Sequence, residues 1–83
     1  MTPGIYRHFK GGFYYAQTVA THVDDLETEV VVYTDEKGRT WLRGLKEFEG
    51  EVERDGKTFK RFELVRAVVD HRMSVGQMLE AKG

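Results

Sequence analysis

The feature that most constrains this chain is its punctuation. Glycines and charged clusters recur every 10 or so residues, and between them lie short runs rich in Val, Thr, Tyr and Phe. Runs this short suit strands and are too brief for most helices, so the pattern predicts an all-β barrel or sandwich of five or six strands. "GIYRHF" (4–9) turns at Gly11-Gly12 into "FYYAQTVATH" (13–22), because paired glycines accept the positive φ of tight hairpin turns. "EVVVYT" (29–34) reads as a central strand, preceded by the acidic "VDDLET" as a solvated loop. Gly38 sits in the next turn, before the short strand "TWLR" (40–43).

In "GLKEFEG", Leu45 and Phe48 stand at i and i+3, the spacing of one helical turn that plugs a barrel end. "EVERDGKTFKRFELV" reads as one hairpin about Asp55-Gly56. Phe13, Tyr15, Val19, Val30, Val32 and Leu64 are assigned to core or edge packing. The tail changes character: Ser74 and Gln77 fit a capping box, and Val75, Met78 and Leu79 form an apolar stripe, predicting a short helix over 75–81 that docks on the barrel or on another subunit. The expected organisation is one barrel domain (1–66) with a C-terminal extension (67–83).

Composition narrows the function classes. A chain of 83 residues hides only roughly 60 to 65% of its unfolded surface, so the core is small. With no cysteine there is no disulfide framework, thiolate metal site or cysteine nucleophile, and a cytoplasmic location is expected. No run approaches the roughly 18 apolar residues of a membrane span, and no membrane association is expected. The net charge of −1 gives no global field toward nucleic acid, so any polyanion site must be local. The basic residues gather early: residues 1–23 hold Arg7, Lys10, His8 and His22 and no acid.

Two side-chain sets carry the binding chemistry. Trp41 and Arg43, two apart on a strand, share a face on which an indole and a guanidinium would hold a ring and its phosphate; alternatively Trp41 closes the core and Arg43 pairs with a carboxylate of "EFEGEVE". Arg7, Lys10 and His22 would form an anion pocket near the glycine turn, or simply a solvated face with a backbone-satisfied histidine. With Tyr6 and Tyr14, the two sets would make one aromatic and cationic groove, provided the Trp41 strand lies near the first hairpin. A metal site at His22 and Asp24 with His8 is weakly supported, since a loop acid is poorly fixed. The sole serine sits at the helix cap, and no catalytic triad is evident, so no enzyme and no cofactor are expected.

The succession "GIYRHFKGGFYY", Ala20 and His22, "VVVY", "WLR", Phe48 with Val52, and Arg61-Phe62 resembles the bacterial and phage family called domain of unknown function 1653, from residue 3 to about 66. Tyr6, Arg7, His8, Lys10 and Gly11 fall on its Tyr-Arg-His-x-Lys-Gly element, and Trp41 and Arg43 on its Trp-x-Arg-Pro element. Here Gly44 stands where that proline is usual, and the turn before Trp41 is shorter and more charged. The resemblance implies a small SH3-like β-barrel and no reaction. The functional expectation is a non-enzymatic module holding a nucleotide-like small molecule or a nucleic acid segment, in one version a phage-type nucleotide sponge. The alternative is a protein-interaction or self-assembling module that works through the barrel edge or the C-terminal helix.

Overall fold

The computed structural model describes residues 1–68, which form seven strands and one short helix. The strands are β1 (Gly4–His8), β2 (Phe13–His22), β3 (Asp25–Thr34), β4 (Thr40–Gly44), β5 (Glu51–Arg54), β6 (Lys57–Lys60) and β7 (Phe62–Ala67). Helix α1 (Leu45–Glu49) links β4 to β5. Five strands make one antiparallel sheet in the order β4-β3-β2-β1-β7, and β5 pairs with β6 in a separate hairpin. The chain is mostly β, as expected, but it is not a closed barrel: β4 and β7 remain the two edges of an open sheet. The predicted helix over 75–81 lies outside the described residues.

The turns form where glycine permits them. Gly11 and Gly12 take φ of 100° and 89°, a conformation that side chains with a Cβ resist, and reverse the chain from β1 to β2. Asp55 and Gly56, at φ 52° and 74°, make the two-residue turn of the β5–β6 hairpin. That hairpin is shorter than the sequence suggested. It ends at Lys60; Arg61 bends the chain, donating its N–H to the Gly50 carbonyl at 3.1 Å, and β7 departs to pair with β1.

The acidic stretch is not the loop its composition suggested. Asp25 to Glu29 continue β3, and only Val23 and Asp24 turn the chain, so β2 and β3 extend past the sheet as a two-stranded arm with residues 21–29 exposed. Backbone pairing needs no apolar face, and hence hydrophobic periodicity is blind to it.

Register fixes the faces of the sheet. Opposed residues share a face, and the pairs Tyr6↔Tyr14, His8↔Phe62, Ala16↔Tyr33, Val31↔Arg43 and Tyr33↔Trp41 all lie on one side. The core forms there from Tyr6, Ala16, Val31, Tyr33, Phe48 and Phe62. Of the residues assigned to core or edge packing, Val30 and Val32 face the other way and are half-buried, while Phe13 and Leu64 remain 46% and 42% exposed. Helix α1 has no side-chain cap and only five residues, so it persists because Phe48, 1% exposed, anchors it among Tyr6, Tyr33 and Phe62.

Candidate functional site

Three cationic or titratable side chains come together from distant parts of the sequence. His8 closes β1, Arg43 lies near the end of β4, and Arg61 occupies the bend between β6 and β7. The His8 ring meets Phe62 edge-on at 4.9 Å and Phe9 at 4.6 Å. Its Nδ1 accepts the Lys10 backbone N–H at 3.1 Å, so the neutral ring carries its proton on Nε2. Burial pushes the His8 pKa below its ordinary value, and the charges of Arg43, Arg61 and Lys10 push it further the same way. Those three charges therefore share one electrostatic neighbourhood with the imidazole.

The guanidiniums are only partly answered. Arg43 stands 5.9 Å from the centre of the Phe62 ring and reaches Glu47 Oε2 at 3.9 Å, a long approach to an exposed carboxylate. The Nε atoms of both Arg43 and Arg61 are buried without a hydrogen-bond partner, and among the described residues no other buried side-chain polar atom is in this state. A buried N–H left unpaired costs about 1–3 kcal/mol, so two in one neighbourhood call for an acceptor from beyond the described residues.

Beneath them lies an aromatic floor. Tyr14, Tyr33 and Phe62 stand 5.6 to 5.7 Å apart in edge-to-face packing, and Phe48 stacks on Phe62 at 4.2 Å and 9°. Tyr33 is 6% exposed.

Trp41 adjoins this floor opposite Tyr33 and is 42% exposed, so it does not close the core. Its Nε1 donates to Asp35 Oδ2 at 2.8 Å, and the Arg39 guanidinium lies 5.0 Å from the ring centre. Asp35 is fixed in turn, its Oδ1 accepting the backbone N–H groups of Lys37 and Arg39 at 2.9 Å each. The Trp41 hydrogen bond, ahead of these two, holds the Asp35 carboxyl below its ordinary pKa. The indole is thus a positioned platform.

The single groove inferred from the sequence is divided by the fold. Trp41, Arg43 and Tyr14 share the inner face as expected. Tyr6 shares it too but is only 7% exposed, with its hydroxyl donating to the Thr2 carbonyl, so it belongs to the core and not to a groove wall. Arg7 points to the opposite face, against Phe13 and Glu63, and lines, together with His8, a cleft of about 480 Å³ in which Glu51 and Glu63 face Arg7 and Lys60. Lys10 sits in the glycine turn with its ammonium 5.7 Å from the Phe9 ring centre, and bears on the site through its charge on His8.

His22 closes β2 at the tip of the exposed arm, where its Nδ1 accepts the Asp24 N–H at 3.0 Å. Eight residues of extended chain, roughly 25 Å, separate it from Tyr14. The postulated pairing of His8 with His22 and Asp24 around a metal therefore has no geometry to support it, and no three metal-ligating side chains converge among the described residues. Sequence reasoning weighed His8 only as a metal ligand and passed over Arg61 and Asp35. His8 was accessible to it, because i, i+2 spacing from Tyr6 puts both on one face. Arg61 carried no such local signal.

The family model described as protein of unknown function (DUF1653) matches residues 4–64. The crystal structure of a DUF1653 protein from Bordetella bronchiseptica is similar, with a TM-score of 0.71 and 32% identity over 83% of this chain and 92% of that one. No curated protein matches the sequence. The chain belongs to the DUF1653 family.

Proposed function

We propose that this DUF1653 protein is a non-enzymatic binding module for a compact, nucleotide-like anion, held by Arg43, Arg61 and His8 above the Tyr14, Tyr33 and Phe62 floor. One observation carries the reading: the Arg43 and Arg61 Nε–H groups are both buried without partners among the described residues, both charges act on His8, and Arg43 stands 5.9 Å from the Phe62 ring centre. A phosphate or sulfate oxygen would satisfy both, and a charge-assisted bond in a partly desolvated site is stronger than one in open water. The neutral His8 ring adds an Nε2–H donor. We read the open sheet, plugged by α1, as a variant of the SH3-like barrel that the family resemblance implies, acting in the cytoplasm.

The test is titration with inorganic phosphate, sulfate and nucleoside monophosphates, read by Trp41 fluorescence and thermal stability. Binding at 100 times Kd adds about 2.7 kcal/mol to stability. That gain should disappear in the Arg43→Gln, Arg61→Gln double variant. Unchanged stability and fluorescence at millimolar concentrations of every anion would refute the reading.

A second reading is favoured by the β2–β3 arm, which leaves Val23 84% and Leu26 77% exposed at its tip. Apolar side chains on an arm with unpaired backbone edges suit a protein partner or self-association. Sedimentation of a Val23→Ser, Leu26→Ser variant tests it: loss of a dimer seen with the parent chain supports the reading, and a parent chain monomeric at high concentration counts against self-association.

A further inference from the structure

The geometry points to a ligand of two parts, one flat ring on Trp41 and one terminal phosphate at Arg43, Arg61 and His8; we infer that the site takes a free mononucleotide and excludes a continuous nucleic acid strand. This rests on the anion site proposed above and specifies what it recognises.

Spacing supplies the first argument. Trp41 and Arg43 are two residues apart on β4 and face the same side, opposite Tyr33 and Val31. Their Cα atoms are therefore separated by roughly 7 Å, about the reach from the base of a nucleoside to its 5′-phosphate. A phosphate on the Arg43 guanidinium leaves the attached base at the indole.

The platform supplies the second. A base needs a held ring on which to stack, and the Trp41 indole is held through Nε1 by Asp35, which two backbone N–H groups fix in turn. Arg39 covers the indole at 5.0 Å, so the platform takes one base and not an intercalating pair. Because Nε1 is already engaged, the indole recognises the base by stacking alone. Affinity should then follow ring size, purine above pyrimidine, with little dependence on hydrogen-bonding edges.

Charge supplies the third. A strand passing through the site would carry a phosphate beyond each end. Beside Trp41 stands the Asp35 carboxylate, 2.8 Å from its Nε1, and beside Arg43 stands Glu47. Arg39, which lies over the indole, is already 3.6 Å from Asp35. A polyanion gains affinity by neutralising successive phosphates, and here the successive positions are acidic. A mononucleotide ends before it meets them.

Calorimetry on the full chain with four probes separates the outcomes: inorganic phosphate, adenosine, adenosine 5′-monophosphate, and a short single-stranded oligonucleotide without terminal phosphates. The monophosphate should bind at least about tenfold more tightly than phosphate or adenosine, the worth of one stacked base. Trp41→Leu should reduce monophosphate affinity to that of phosphate and leave phosphate binding unchanged. Trp41→Phe, which keeps a ring at the sheet edge, should retain part of the difference, and guards against misreading an unfolded leucine variant. Phosphate binding as tightly as the monophosphate would overturn the two-part ligand while leaving the anion site standing. Equal or tighter binding of the oligonucleotide would overturn it in favour of a nucleic acid strand. No binding by any probe would overturn the anion site as well.

Discussion

Replacing Phe48 by alanine tests the packing that supports the site. Phe48 is 1% exposed, stacks on Phe62 at 4.2 Å, and meets Tyr6 at 5.0 Å and Tyr33 at 5.7 Å. It thereby joins β1, β3 and β7 to a helix that has no side-chain cap of its own. Truncating a buried phenylalanine costs about 3–5 kcal/mol, and the upper half of that range applies here, because the stack on Phe62 and the packing on Tyr6 and Tyr33 disappear together. A chain of 83 residues has about 4–12 kcal/mol in total, so the variant should keep at most a small margin of stability. Urea unfolding followed by circular dichroism should show a much lower midpoint, and the melting temperature should fall by at least about 16 °C. Phe48→Leu, which keeps most of the volume but not the stacking, should lose less than half as much. The floor under Arg43 would loosen in the alanine variant, so sulfate affinity should fall with stability. A loss below about 1 kcal/mol would refute the claim that α1 is held by this residue and that the core is centred on the Phe48 and Phe62 stack.

Three further outcomes follow from named groups. The His8 pKa is lowered in the fold, so below pH about 6.5 the unfolded chain takes up a proton that the folded chain refuses; stability should fall as pH drops through that value, level off below the folded pKa, and lose this slope in His8→Gln. A bound anion favours protonated His8, so the affinity for sulfate, whose charge is constant in this range, should rise over the same interval in calorimetric titrations. Gly4→Ala would set a Cβ 2.3 Å from the Arg66 carbonyl oxygen and 2.9 Å from the Ala67 Cα, both backbone atoms, so β1 and β7 must part and urea melts should show a loss of about 2–4 kcal/mol. Glu47→Gln removes an exposed carboxylate 3.9 Å from Arg43; stability should change by less than about 0.5 kcal/mol, while sulfate affinity rises about two- to fivefold by calorimetry.

Strand positions were legible where the sequence carried both a turn signal and an apolar run. Phe13–His22 begins and ends where expected, and the Gly11-Gly12 and Asp55-Gly56 turns form because those residues accept positive φ. Facing was harder to read. In "VVVY" every position is apolar, so either parity would satisfy the pattern, and the choice of Val31 and Tyr33 for the core was made by their partners across the ladder, Val19 and Arg43 for Val31 and Ala16 and Trp41 for Tyr33. Sheet closure was not legible either. Local patterning predicts strands, whereas the open edges of β4 and β7 depend on which strands become neighbours.

The same distinction explains why half of the site was visible. Trp41 and Arg43 could be paired from sequence because i, i+2 on one strand is a local relation. His8 and Arg61 are 53 residues apart, and they meet only because β7 leaves the β5–β6 hairpin and docks on β1, opposing His8 with Phe62. Arg61 is where that exchange occurs: its N–H bonds the Gly50 carbonyl on the hairpin side, and its carbonyl accepts the Phe9 N–H on the sheet side at 3.0 Å. The Arg61 backbone is therefore held by the junction itself, and the proposed anion site lies at the seam between the two sheets, where the Arg61 Nε has no acceptor among the described residues.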